Sequence, residues 1–322
     1  MNNYWKMKFF SIILFLLSFA VAQTQTVPSL ESSADSDTAN TTVNTDTART
    51  FYPERLAVVG GSIVLGYTAA WYYLFRDGWW DQSVALNMEG QYHDFHYATN
   101  LDKFGHFYTG VLFGEVFTQA YDWVGLTPFQ SVLWAGITLG ATQIIVELKD
   151  GFSPYGYSIY DAAAGTLGGF YAMGKRYIPA MKYVDYKFAY WRNSEAYWDL
   201  GDGTSNHLFT DDYPNQTHWL SFKIAKMLPS NVAQHYPDWL AFAFGWGITA
   251  ERYTYDDFDK GRYEFYLSID YDLEGLFKPK QTWAKNIVTI LNHIKLPAPA
   301  VRLCPNAKFY PIMPIHAFSV SF

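Results

Sequence analysis

The chain has 322 residues, half of them hydrophobic and one in five aromatic, with only 16% charged. A net charge of −7 without any long basic run argues against nucleic acid as a partner. The single cysteine, Cys304, excludes an intrachain disulfide, and a charged share below the usual quarter favours a chain that meets lipid.

Residues 1–22 read as a cleaved secretory signal peptide. Lys6 and Lys8 precede the apolar run FFSIILFLLSFAV, and Ala20-Val21-Ala22 gives a small-x-small cleavage pattern before Gln23. Residues 23–50 are Thr, Ser, Asp, Asn and Ala with almost no large apolar side chain, so they cannot offset chain entropy by burial and read as a disordered polar linker. Export places the remainder in the cell envelope.

Residues 51–176 are expected to form a helical membrane module. Residues 55–77 are apolar, bounded by Arg55 and Arg76-Asp77, with Trp71, Tyr72, Tyr73, Trp79 and Trp80 crowding one end. That is the pattern of a membrane-spanning helix with an aromatic collar. A second helix is expected over residues 103–121, ending near Gly125, with Asp102 and His106 four apart on one face. Thr127-Pro128 starts a third, whose residues 129–147 are long enough to cross a bilayer core and whose end carries Glu147 and Asp150. After the loop GFSPYGYSIY, Asp161 opens a short helix of small residues. Gly110 and Gly114, Gly136 and Gly140, and Gly165 and Gly169 each stand four apart, stripes that let helices approach closely. The predicted architecture is a mainly α, membrane-associated bundle of about four helices.

Residues 177–322 change character and are expected to form a mixed α/β region of aromatic strands. FAFGWGI (242–248) and YEFYLSIDYDL (263–273) alternate with period two, as strands do. Residues 282–294 look like an amphipathic helix, prolines 297, 299 and 305 break the chain, and a terminal strand is expected after them. Small-residue helices suit an inner membrane, whereas aromatic alternating strands and the terminal Phe322 point toward an outer one. The sequence leaves that choice open.

Three elements recur in a known order: LDKFGHF at 101–107, Glu147 near the end of the next apolar run, and Asp161-x-x-Ala164-Gly165-x-x-Gly168. Together they resemble the YfiM-like family of predicted periplasmic lipoproteins of unknown function. They are similar, more distantly, to the VanZ-like membrane family with its D-K-x-x-H, E-x-x-Q and D-x-x-A-N-x-x-G elements. Glu147 is followed by Asp150 where the second family has Gln, and Gly165 stands in place of its Asn. Cys304 lies far from the signal region, so no lipid-attachment cysteine is recognised. The resemblance covers about residues 95–175 and implies a helical, envelope-located module, with no catalytic mechanism to carry over.

Ionisable groups in apolar helices are costly, about 2.5–3.5 kcal/mol each on insertion scales, so they turn toward partners or a polar cavity. Asp102, Lys103, His106, Glu147, Asp150 and Asp161 are therefore expected to meet at one seam. One reading is structural: Asp102 and Asp161 cap helices, Lys103 pairs with a carboxylate, and His106 hydrogen-bonds Glu147. A second is catalytic, with His106 as general acid or base beside Glu147 or Asp161, in a membrane hydrolase acting on a lipid or envelope polymer. A third is a ligand or headgroup site without turnover. His93 and His96 in HDFH are spaced for one metal, but no cysteine joins them, and neither metal nor cofactor is assigned. The expectation is an envelope protein, structural or assembly-related, with membrane lipid and possibly other envelope proteins as partners.

Overall fold

The longest helix, Leu101–Val124, divides the molecule into a helical layer on one side and a sheet on the other. The computed structural model describes residues 49–72, 76, 80, 82–199, 208–250 and 261–321. The expected signal peptide and nearly all of the expected linker lie outside these residues.

In chain order the helical part comprises α1 (Pro53–Ala70), α2 (Gln91–His96), α3 (Leu101–Val124), α4 (Pro128–Asp150) and α5 (Ile159–Gly174). The boundaries have local causes. Gly125 takes a left-handed conformation (φ 94°) that closes α3. Thr127 and Gln130 form a reciprocal capping box, with Pro128 in the first turn of α4. The Ser158 hydroxyl accepts from the Asp161 N–H and caps α5.

The rest of the chain contributes β1 (Val184–Tyr190), β2 (Gln216–Phe222), the short helices α6 (Ile224–Met227) and α7 (Ser230–Ala233), β3 (Leu240–Ile248), β4 (Tyr263–Tyr271), α8 (Leu273–Phe277), α9 (Thr282–Leu291), β5 (Ala298–Cys304), β6 (Lys308–Met313) and β7 (Val320–Ser321). All seven strands join one antiparallel sheet in sequence order, β1 to β7. Lys187 of β1 reaches Asp270 of β4 at 3.0 Å. Three strand spacings in a flat sheet would separate those strands by about 14 Å, beyond a lysine side chain. The sheet is therefore curled, and its concave face holds Trp219, Ala243, Tyr266, Ala300 and Tyr310.

Helix α3 is buried from both sides. Toward the helical layer, Val116, Phe117, Ala120 and Val124 pack with Val59, Ala135, Leu139 and Met173. Toward the convex face of the sheet, Leu101 and Val111 share a cluster with Tyr186, Trp246 and Ile248, and Phe104 meets the Trp246 ring edge-on at 5.0 Å.

The seven-stranded sheet overturns the expectation of a mainly α bundle of about four helices. β3 and β4 follow the expected alternation. β1 was hidden because its buried face carries charge, Asp185 and Lys187 being buried and paired, and β2 because polar Gln216, Thr217, His218 and Ser221 are buried within it. β5 was hidden by Pro299, which sits where the register shifts between Ala298 and Ala300, a place where a strand tolerates proline. Two spanning helices were also expected. Among the described residues only Pro128–Asp150 is long and apolar enough to cross a membrane. In residues 55–77, glycines, Tyr67 and Thr68 dilute the apolar run.

Candidate functional site

Five of the six ionisable residues singled out in the sequence converge between α3, α4 and α5. Asp102, Lys103 and His106 occupy the first turns of α3, and Glu147 the last turn of α4. Asp161 lies in the first turn of α5, where the Ser158 cap orients it. Close helix contact makes this possible: a Cβ on Gly168 would run into the Phe107 carbonyl oxygen.

Lys103 is the hub. Its Nζ stands 2.5 Å from Asp94 Oδ1, 2.9 Å from Asp161 Oδ1 and 3.1 Å from Asp102 Oδ2. Burial would lower its pKa, but Asp102, Asp161 and Asp94 hold it well above the usual lysine value. His106 stands among the remaining carboxylate oxygens. Its Nε2 is 3.8 Å from Asp102 Oδ1 and 4.0 Å from Asp161 Oδ2, and its Nδ1 is 3.8 Å from Glu147 Oε1. These are ion-pair distances, too long for hydrogen bonds. Burial opposes the charged imidazolium, yet Asp161, Asp102 and Glu147 push its pKa up to about 9.

The carboxylates divide by environment. Burial would raise Asp102, but Lys103, His106 and a 2.8 Å hydrogen bond from the Tyr213 hydroxyl bring it down to about 2. Burial raises Glu147 to about 8, against the attraction of His106. Burial and the neighbouring Asp102 raise Asp161 to about 6. Asp150 is apart from the contact set. It accepts a 2.6 Å hydrogen bond from Trp80 Nε1, and burial raises it to about 7.

The structural reading of these residues needs two corrections. Neither Asp102 nor Asp161 caps a helix: Ser158 caps α5, and Asn100 begins α3 without a side-chain cap bond. His106 faces Glu147 without hydrogen-bonding it. Lys103 does pair with carboxylates, three of them.

Asp94, Ser158 and Tyr213 were not anticipated. Residues 98–100 are all left-handed (φ 48°, 55° and 63°), an unusual run for residues other than glycine. It turns the chain between α2 and α3 and returns Asp94 to Lys103. Ser158 donates to Asp94 Oδ2 at 2.9 Å, and its N–H donates to Glu147 Oε2 at 3.3 Å. Asp94 lies within HDFH, a local signal that the sequence shows through its two histidines. Tyr213 lies 111 residues from Asp102 in sequence and carried no local signal. His93 instead stands 3.0 Å from Glu89.

Among the described residues, two groups have donor atoms close enough to share an ion. Asp102, His106 and Asp161 bring one atom each to within 4.8 Å of one another, and so do Glu89, Asp94 and Asp161. Exposed large apolar side chains flank the cluster residues in sequence: Ile144, Ile145 and Leu148 beside Glu147, and Ile159 and Tyr160 beside Asp161.

Residues 88–174 match the family described as "Predicted periplasmic lipoprotein (DUF2279)". The matched segment spans α2 to α5 and carries the charged cluster apart from Tyr213. It includes none of the sheet. A periplasmic family of unknown function is in keeping with the envelope location expected from the sequence. No curated protein and no solved structure matches the chain.

Proposed function

We propose that this protein is an envelope component seated on a lipid surface through the outer face of its helical layer, with a structural or assembly role. The exposed apolar side chains of that layer carry the reading. Val64 and Leu65 on α1 (65% and 70% exposed), Phe129 and Ile145 on α4 (68% and 59%), and Leu167 and Phe170 on α5 (59% and 61%) all face outward. Large apolar side chains exposed in this number mark an interaction site, and a lipid surface accommodates them without a shaped partner. The charged cluster links α2, α3, α4 and α5, and the Tyr213 hydroxyl joins it from the segment before β2. The periplasmic description of the matched family supports the location.

Fractionation of the exported protein followed by carbonate extraction tests this, together with flotation of purified protein on phospholipid vesicles. Retention in the pellet and co-flotation, both reduced in Leu65→Asp/Ile145→Asp at unchanged folding, are expected. Full release by carbonate with no vesicle binding would overturn the reading.

A second reading, a hydrolase of a lipid or envelope polymer, draws on the partial exposure of His106 among three carboxylates. Held protonated by its carboxylates, His106 would serve as general acid, with Glu147 or Asp161 as the accompanying carboxylate. Release of fatty acid or headgroup from vesicle phospholipid by wild type, lost in His106→Gln, would favour it.

A further inference from the structure

We propose that Asp102, His106 and Asp161 bind a divalent transition-metal ion of the Zn2+ or Mn2+ type. The proposal does not depend on the lipid-seated reading. The first support is the division of the carboxylate oxygens. Lys103 takes the outer oxygen of each aspartate, Asp102 Oδ2 at 3.1 Å and Asp161 Oδ1 at 2.9 Å. The inner oxygens, Asp102 Oδ1 and Asp161 Oδ2, face His106 Nε2 at 3.8 and 4.0 Å; Asp102 Oδ1 also accepts from the Tyr213 hydroxyl at 2.8 Å, which leaves it one lone pair. The gaps to Nε2 are too long for hydrogen bonds. They are within roughly half an ångström of the separation between two ligands of one ion, about 3.0–3.4 Å for metal bonds of about 2.0–2.2 Å.

The second support is Glu147. It is buried, its Oε1 has no hydrogen-bond partner, and that atom lies 3.8 Å from His106 Nδ1. A metal-bound histidine characteristically donates its other ring N–H to a carboxylate, which fixes the tautomer that leaves Nε2 free for the ion. Glu147 stands where that carboxylate belongs, and the Tyr213 hydroxyl fixes the Asp102 carboxylate by donating to Oδ1 itself at 2.8 Å. Charge agrees: Asp94, Asp102 and Asp161 surround a single ammonium, so an ion that displaces the His106 proton enters a cluster with an excess of negative charge. His106 is a quarter exposed, which gives an ion a route in from solvent. Two carboxylates with one imidazole suit Zn2+ or Mn2+ better than Mg2+.

Full-length protein purified in detergent, stripped with a chelator and titrated calorimetrically with Zn2+, and separately with Mn2+, tests the site. One equivalent of at least one ion is expected to bind. Asp161→Asn and His106→Gln should abolish that binding, Glu147→Gln should weaken it about 10–100-fold, and His93→Ala/His96→Ala should leave it unchanged. If either ligand variant fails to fold, the wild-type stoichiometry together with the Glu147→Gln and His93→Ala/His96→Ala results decides. Absence of saturable binding to wild type, retention in a folded ligand variant, or loss in His93→Ala/His96→Ala would overturn the proposal.

Discussion

Gly110 of α3 lies backbone to backbone against Gly165 of α5, so that a Cβ on Gly110 would run into the Gly165 carbonyl oxygen. This approach brings Asp161 to Asp102 and His106. Gly105, on the same helix, has open space around the same position. The two glycines should therefore answer alanine oppositely. Gly110→Ala forces the helices apart and should cost about 1–3 kcal/mol or more. Gly105→Ala gains helix propensity and should be neutral or stabilising by up to about 1 kcal/mol. Denaturant unfolding of both variants checks this, and equal effects would contradict the packing.

The Gly110 and Gly165 stripes, the charged positions at the helix ends and the Thr127-Pro128 start were legible in the sequence because they are local signals. Asp102 and His106, four apart, do share a face, and β3 and β4 show their alternation openly. What the sequence concealed was non-local. Apolar residues on α1 and α4 gave the same signal whether they face lipid or pack on α3. β1 carries charges whose neutralising partners, such as Asp270 for Lys187, are far away in the chain. Tyr213 reaches Asp102 only because the sheet folds back over α3.

Lys103 neutralises three carboxylates that are themselves largely buried. Lys103→Met removes the ammonium and keeps most of the side-chain volume, leaving Asp94, Asp102 and Asp161 facing one another. Removal of one partner from a buried ionic group costs about 3–5 kcal/mol, so the variant should unfold far earlier than wild type in denaturant. Lys278→Met provides the contrast: its pair with Asp238 is exposed, so the unfolding midpoint should hardly move. A small effect at Lys103 would mean that the carboxylates are not gathered as described.

His218 and His293 lie at the junction of sheet and helix, and burial lowers the pKa of each to about 3. His218 is enclosed by Phe104, Phe188 and Trp246, with the Tyr186 hydroxyl 3.0 Å from Nδ1. Above about pH 6.5, the ordinary histidine value, both are neutral folded or unfolded and titration contributes nothing. Below it the unfolded chain takes up protons that the folded chain refuses. Stability therefore falls as pH drops from about 6.5 toward 3, by up to about 1.4 kcal/mol per pH unit for each histidine. Melting temperature measured across this range should show the decline, and His218→Phe should make it shallower. An unchanged acid slope in that variant would show that His218 protonates in the folded state.

Inside the curled sheet, Asp270 stands between two lysines, 3.0 Å from Lys187 and 3.4 Å from Lys295, and all three are buried. The Lys187 Nζ also donates to the Tyr271 carbonyl at 2.7 Å and to Asn292 Oδ1 at 3.2 Å, so its remaining hydrogen-bonding needs are met locally. Asp270 has no comparable alternative, since its oxygens depend on the two ammonium groups. The two ends of the pair should then respond differently. Asp270→Leu leaves two buried lysines facing each other without an anion and should cost about 3–5 kcal/mol. Lys187→Met leaves Asp270 with Lys295 and should cost less. The double variant Lys187→Met/Asp270→Leu should recover part of the Asp270→Leu loss, because one ammonium goes with the carboxylate. A double-mutant cycle by urea unfolding measures the coupling directly. Strict additivity would mean that Lys187 and Asp270 do not interact across the concave face, and the curl inferred from their contact would be wrong.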